Sequence, residues 1–342
     1  MEKATVLVTG ATGFIAKYCI AELLRQGYRV RGTVRDLARG PDAVRGAVSR
    51  AGLDPSGVTF VAADLERDDG WDAAVSGCRY ILHVASPFPI DQPKERDEVI
   101  RPARDGALRA LKAATRAGVP RVVMTSSTVA IMYTATHTPG HIYTEADWTD
   151  VGRAGLTPYM LSKTIAERAA WDYVWATPGA PELVSINPGF VQGPALDGDL
   201  STSLHVQKLM GIGAYPGAPA ISFPISDVRD IAALHVLAMT HPKAAGERFL
   251  AAQGTASLYG IGQIIADALP DLKSKVPKVE LPNVVVRAMA LFDTRLEAVL
   301  PELGTARICS NMKTRELLGF KFRSAEDAIR DAAVSLRKLN VI

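Results

Sequence analysis

Short apolar runs alternate along the first half of the chain with longer segments whose apolar positions recur every three or four residues. The short runs read as buried parallel strands and the longer segments as helices that cover them. The strands predicted are Thr5 to Val8, Arg29 to Val34, Val58 to Ala62, Tyr80 to Val84, Arg121 to Thr125 and Leu183 to Ile186. Between the first two, Phe14 to Gln26 places Ile15, Tyr18, Cys19 and Leu23 on one helical face, and Gly27 stands where a C-cap is expected. Beyond Pro188 the pattern breaks into GFVQGPALDGDLS and GIGAYPGAPAISFP, rich in Gly and Pro, before helical spacing resumes at Asp227 to Met239. The fold class expected is α/β: a Rossmann-type, doubly wound parallel sheet with a smaller, mostly C-terminal lobe. The sheet domain is expected to span residues 1–188, with 225–240 returning to it, and the substrate lobe residues 189–224 and 241–342.

At 342 residues the chain is long for one hydrophobic core, which agrees with a domain plus a lobe. The formal charge of +3 is spread without a Lys/Arg run, so nucleic acid and anionic membrane surfaces are not expected partners. Cys19, Cys78 and Cys309 are isolated, fitting a reducing compartment and no metal site. The start, MEKATVLV, enters a strand directly, and no apolar stretch approaches the roughly 20 residues of a membrane span, so a soluble cytoplasmic protein is expected. Either a monomer or a homodimer is expected, since the amphipathic helix Glu98 to Ala117 suits covering its own sheet or a subunit contact.

VLVTGATGFIA couples the first strand to the first helix through Gly10, Thr12, Gly13, Phe14, Ile15 and Ala16. Small residues there let the backbone approach a pyrophosphate at a helix N-terminus, the signature of a dinucleotide site. At the end of the second strand Arg35 suits a 2'-phosphate, favouring NADP(H); Asp36 facing the ribose instead would favour NAD. Asp64 and Leu65 follow the third strand and could bracket an adenine, although Asp64 could equally cap a helix. Val84, Ala85 and Ser86 end the fourth strand, where a small residue lets the chain run beneath the cofactor; His83 reads as a packed strand histidine. Thr125, Pro188 and Val191, also at strand ends, complete the expected cofactor contacts.

Tyr159 and Lys163 lie four apart in TPYMLSKTIAE and share a helical face. An ammonium beside a phenol favours the phenolate, so Lys163 is expected to lower the Tyr159 pKa, and Tyr159 to pass a proton to or from a carbonyl oxygen as hydride moves to or from a nicotinamide. Lys163 also suits the ribose hydroxyls. A donor for that oxygen is expected at the end of the fifth strand: Ser127, with Ser126 and Thr128 as alternatives, because adjacent strand side chains point to opposite sides.

Together VLVTGATGFIA, the serines at 126 and 127 and YMLSK resemble the extended short-chain dehydrogenase/reductase family, over most of the chain. RGTVRD, ADL, HVASP, INPGFVQGP and RELLGFKFRS are similar to its dihydroflavonol reductase, cinnamoyl-CoA reductase and aldehyde reductase branch. The resemblance implies a catalytic set of Ser127, Tyr159 and Lys163, NADPH, and Arg35 as its phosphate-binding arginine. The plant flavonoid enzymes place a polar amide where this chain has Ile131, Met132 and Tyr133, and TPYMLSK lacks the longer aromatic motif of cinnamoyl-CoA reductases. What remains resembles microbial carbonyl reductases acting on aldehydes and ketones.

Pro87, Phe88, Met132, Tyr133 and Phe190 are the expected apolar pocket, with Thr134 to Leu156 as a wall or lid in which His137 and His141 have no catalytic role. The small-molecule substrate expected is a carbonyl or an alcohol. Alternatives are a hydroxysteroid dehydrogenase, which differs only in pocket size, a nucleotide-sugar epimerase with tightly held NAD, and a non-catalytic NADP sensor.

Overall fold

The computed structural model describes residues 4–87, 95–136, 138, 140–292 and 300–342. The first strands and helices follow the sequence pattern closely: β1 (Thr5–Val8), α1 (Phe14–Arg25), β2 (Arg29–Val34), α2 (Gly40–Arg50), β3 (Val58–Ala62), α3 (Trp71–Val75), β4 (Tyr80–His83), α4 (Asp97–Arg116) and β5 (Arg121–Thr125). A two-residue strand, β6 (Ile142–Tyr143), precedes α5 (Pro158–Ala176), β7 (Glu182–Asn187) and β8 (Phe190–Gln192). Then come α6 (Thr202–Gly211), β9 (Ala218–Pro219), β10 (Ser222–Asp227), α7 (Val228–Thr240) and β11 (Arg248–Leu250). The remainder is β12 (Thr255–Ser257), α8 (Leu258–Ala268), β13 (Glu280–Leu281), α9 (Asn283–Ala290), β14 (Ile308–Cys309), α10 (Met312–Leu318) and α11 (Ala325–Lys338).

Seven strands form the main sheet in the order β11-β7-β5-β4-β1-β2-β3, every pairing parallel. Strand alternation divides its core: Val6 and Val8 pack with α1 and α7 on one face, whereas Leu7 packs with α3, α4 and α5 on the other. The chain reverses direction across the sheet between β1 and β4, the switch point where open α/β sheets have their ligand crevice. A second sheet, β12-β10-β8, packs under α8 and α11 and builds the smaller lobe. Among the described residues no helix is long and apolar enough to cross a membrane.

One boundary differs from the sequence expectation. Arg248–Leu250 was expected in the lobe, but as β11 it pairs with Ser185 to Asn187 and forms an edge of the main sheet. Three residues are too short a run for periodicity to declare. The expected wall at Thr134 to Leu156 is likewise anchored: β6 pairs with β14, and Thr149 donates its hydroxyl to the Val129 carbonyl at 2.6 Å and accepts from the Tyr133 N–H at 3.1 Å.

The turn joining β7 to β8 brings the two sheets together at Gly189. Its N–H donates to Ser226 Oγ at 2.8 Å, and an added Cβ would collide with the Pro224 carbonyl. Gly189→Ala is therefore expected to cost roughly 1–3 kcal/mol, read as a lowered midpoint in chemical denaturation. An unchanged midpoint would show that the two sheets separate freely here.

Candidate active site

The crevice begins with a clasp between β1, β2 and β4. Thr9 Oγ1 accepts the Ala85 N–H at 3.0 Å and lies 3.0 Å from His83 Nδ1, while Thr33 takes the Gly10 N–H on its hydroxyl and the Ala11 N–H on its carbonyl, both at 2.9 Å. Gly10 has φ +64, and a Cβ there would stand 3.0 Å from Ala85 Cβ and 3.1 Å from its Cα. Only glycine meets both demands. Gly13 caps α1 in an extended conformation, and no side chain supplies an acceptor to the first turn. Thr12, Gly13, Phe14 and Ile15 thus present an uncapped, partly exposed helix N-terminus, with the chemistry a pyrophosphate requires.

Arg35 leaves the end of β2 exposed, and among the described residues it has no ion-pair partner. The carboxylate of Asp36 instead accepts the Ala38 N–H at 2.7 Å and lies 4.0 Å from Arg39. Asp64 accepts the Glu66 N–H at 3.0 Å, closing a local turn, and Leu65 seats its side chain on Gly106 of α4. Val84, Ala85, Ser86 and Pro87 are half-buried at the mouth of β4.

The hydroxyls at the end of β5 separate as strand alternation requires. Thr125 donates to His235 Nε2 at 2.7 Å, in the α7 layer, so its side chain is directed away from the cofactor contact expected of it. Ser126 donates to Glu167 at 2.5 Å. Ser127 caps a short turn, accepting the Val129 N–H at 3.3 Å, lies 3.4 Å from the Pro188 carbonyl, and hydrogen-bonds Tyr159. Of the candidate donors, Ser127 is the one joined to Tyr159.

Tyr159 and Lys163 occupy the first turns of α5, which starts sharply because Thr157 caps Met160 N and Pro158 follows the cap. Burial pushes the Tyr159 phenol up to about 12, opposed by the Ser127 hydrogen bond. The expected lowering by Lys163 is not what dominates: Lys163 Nζ lies 6.0 Å from the centre of the Tyr159 ring, and burial brings Lys163 itself down to about 8, with Glu167 acting the other way. Among the described residues Lys163 Nζ has no hydrogen-bond acceptor, although the residue is only 8% exposed. A buried ammonium with donors to spare beside a glycine-lined crevice fits the hydroxyls of a dinucleotide ribose.

The expected pocket residues fare differently. Met132 and Tyr133 are buried with Tyr143, Leu156, Leu161 and Leu250. Arg307 lies 4.3 Å over the Tyr133 ring, and the phenol hydrogen-bonds Glu302, so this tyrosine is engaged by the C-terminal lobe. Phe190 stacks on Phe223 with centroids 4.7 Å apart. Pro188 and Val191 are buried, and the Val191 carbonyl accepts from Ser203 at 2.5 Å. Phe88 and His137 lie outside the described residues; His141 lies 3.1 Å from Asp147.

Sequence reasoning missed the layer behind these groups. Glu167, fully buried, accepts from Ser126, Ser185 at 2.7 Å, Asn187 Nδ2 at 2.8 Å and Arg248 Nε at 2.8 Å. Its spacing of four from Lys163 was the available signal, since it extends the same helical stripe.

The model of the NAD dependent epimerase/dehydratase family matches residues 6–252. The chain is 32% identical to ketoreductase azaE of Aspergillus niger over 97% of each chain. It is 33% identical to cinnamoyl-CoA reductase CAD2 of Medicago truncatula, over 87% of this chain and 93% of that one. Among solved structures, Gre2 of Candida albicans in complex with NADPH superposes with a TM-score of 0.81 at 29% identity, covering 98% of this chain and 99% of that one.

Burial holds His83 and His235 neutral, each lowered to about 4, with Lys163 adding to the effect at His83. A folded-state value below the unfolded one of about 6.5 means that the unfolded chain takes up protons first, so stability is lost as pH falls from about 6.5 toward 4. Denaturant midpoints are expected to drop between pH 7 and pH 5. Equal midpoints would show that these imidazoles are not held neutral.

Proposed function

The chain belongs to the NAD dependent epimerase/dehydratase family, in its dihydroflavonol reductase, cinnamoyl-CoA reductase and aldehyde reductase branch, and from that premise we propose that it reduces aldehydes or ketones with NADPH. The observation that carries this reading is the Ser127 to Tyr159 hydrogen bond, with Lys163 one helical turn away at the crevice where β1 and β4 diverge. The named activities of the relatives, a ketoreductase and a cinnamoyl-CoA reductase among them, support carbonyl reduction. The NADPH in the Gre2 complex, together with an exposed Arg35 and an Asp36 occupied by its own turn, supports NADPH over NADH. A guanidinium meets a 2'-phosphate with charge-assisted bonds.

NADPH, when bound, supplies the hydride that reduces the carbonyl carbon. Tyr159 releases its phenolic proton to the carbonyl oxygen as the C=O π electrons move there. A phenol near 12 is fully protonated at neutral pH, so the proton to be given is in place before the reaction. Ser127 hydrogen-bonds the same oxygen and fixes its distance from Tyr159. Lys163, still mostly charged at pH 7, stabilises the phenolate left behind and holds the ribose hydroxyls, and the phenolate recovers its proton from solvent. Phe190, half-buried and stacked on Phe223 just beyond β7, supports a hydrophobic or aromatic carbonyl as the substrate.

Purified protein is expected to consume NADPH faster than NADH with a panel of aromatic aldehydes, ketones and steroid ketones; no turnover with either cofactor overturns the reading. Tyr159→Phe is expected to lower kcat by about 10²- to 10⁴-fold while NADPH binding, followed by fluorescence titration, persists. Turnover close to that of the parent would remove Tyr159 from the proton-donor role. Arg35→Ala is expected to weaken NADPH binding roughly ten- to a hundredfold and to leave NADH nearly unchanged. Equal losses for both cofactors would mean that Arg35 does not meet the phosphate.

A further inference from the structure

Behind the proposed catalytic groups lies a carboxylate that the chemistry above does not use. Glu167 is fully buried, and five residues direct donors to it: Ser126 at 2.5 Å, Ser185 at 2.7 Å, Asn187 at 2.8 Å, Arg248 at 2.8 and 3.4 Å, and the Trp171 indole at 3.4 Å. The same Asn187 amide donates to the main-chain carbonyl of Ser127 at 3.1 Å. Arg248 is itself tied down, donating to the carbonyls of Glu145 and Asp147 at 2.7 and 2.9 Å and lying 3.6 Å over the Trp148 ring. Well-packed apolar residues would fill this space at no greater cost than a buried ion pair, so packing alone does not account for the pair.

We infer that Glu167 is a positioning residue: through Asn187 it fixes the main chain of Ser127, and across one turn of α5 it supplies the counter-charge for the Lys163 ammonium. The inference rests on the reductase reading for the chemistry it serves, and on geometry for the electrostatics. Among the described residues, the charged or titratable groups facing Lys163 are Tyr159 and Glu167 on α5 and His83 on β4; behind Glu167 stands Arg248 on β11, with Glu145 beside it. His83 is neutral, and Arg248 is a second cation. Glu167 is therefore the anion that Lys163 and Arg248 share, with Glu145 acting on Arg248 as well. Burial works to raise its pKa, but the Arg248 charge and the bonds from Arg248, Ser126 and Ser185 prevail and hold it below the usual carboxylate value. Lys163, by contrast, has no acceptor among the described residues, so its charge state depends on fields from neighbours rather than on a direct bond.

The carboxylate acts on Lys163 directly and Arg248 acts by keeping that carboxylate ionised, which gives a paired test. The readout is the pH dependence of Lys163 acylation in the cofactor-free protein, followed by peptide mass spectrometry. Glu167→Gln removes the anion one turn from Lys163 and is expected to lower the half-reaction pH by about one unit, a tenfold change in the ammonium-to-amine ratio. Arg248→Lys keeps a cation on the carboxylate and so keeps Glu167 ionised, and is expected to leave it within a few tenths of a unit of the parent value. In carbonyl reduction the kcat/KM profile is expected to move in the same sense for each variant. Where Glu167→Gln does not fold by circular dichroism, Ser126→Ala, which removes one of the bonds that hold Glu167 ionised, takes its place and is expected to move the midpoint downward, in the same sense as Glu167→Gln.

A Glu167→Gln midpoint that stays at the parent value, or an Arg248→Lys midpoint that moves as far as that of Glu167→Gln, overturns the inference, because loss of structure would move both alike. A lowered Glu167→Gln midpoint beside an unmoved Arg248→Lys midpoint, with no carbonyl turnover by the parent protein, would leave the counter-charge role standing and remove the reductase reading instead.

Discussion

The Glu167 to Arg248 ion pair is the joint on which the side of the crevice that carries Ser127, Tyr159 and Lys163 depends. It gathers the end of β5 through Ser126, α5 through Glu167 itself, β7 through Ser185 and Asn187, β11 through Arg248, and the 145–147 turn through two carbonyls. A pair this deeply buried survives because nearly every donor and acceptor in it is satisfied; one missing partner would leave a desolvated charge, which costs several kcal/mol. That requirement sets the register of β11 and the placing of Ser127 together. The opposite, cofactor side of the crevice relies on a neutral clasp instead, in which Thr9 and Thr33 hold the glycine turn against β4 with no charge to compensate.

Much of this architecture was legible in the sequence, because the central strands are buried on both faces and so appear as unbroken Val and Ile runs. The strands β1, β2, β3 and β5 fall where the runs lie, and the glycine turn was readable from its spacing between strand and helix. The choice of Ser127 over Ser126 and Thr128 could be narrowed only by alternation. Partners settle where the hydroxyls go: His235 takes Thr125, Glu167 takes Ser126, and Ser127 reaches Tyr159. Those partners lie far along the chain, and local pattern carries no information about them.

The remainder was hidden for related reasons. Strands β6, β11 and β14 are two or three residues long, too brief for any period, and they exist because distant chain supplies the other half of each ladder. Tyr133 reads as pocket lining by its position after a strand, yet its ring and hydroxyl meet Arg307 and Glu302 from the C-terminal lobe. The influence of Lys163 on Tyr159 was overstated because four-residue spacing gives proximity and says nothing of desolvation, which here acts on both groups and opposes both charges.

The pairing of β11 with β7 also bears on how the chain reaches its native state. Between Asn187 and Arg248 the polypeptide leaves the main sheet, builds β8, α6 and β10, and returns through α7 before the ladder can close. The entropy of closing so long an excursion is lost before any contact in the ladder offsets it, and a contact of this sequence separation is intrinsically slow to form. Until then β7 stands as an open edge of parallel sheet, with Val and Ile side chains and unpaired backbone groups in reach of other nascent chains. The last strand to join therefore guards solubility during synthesis, and its three residues have a kinetic importance out of proportion to their length.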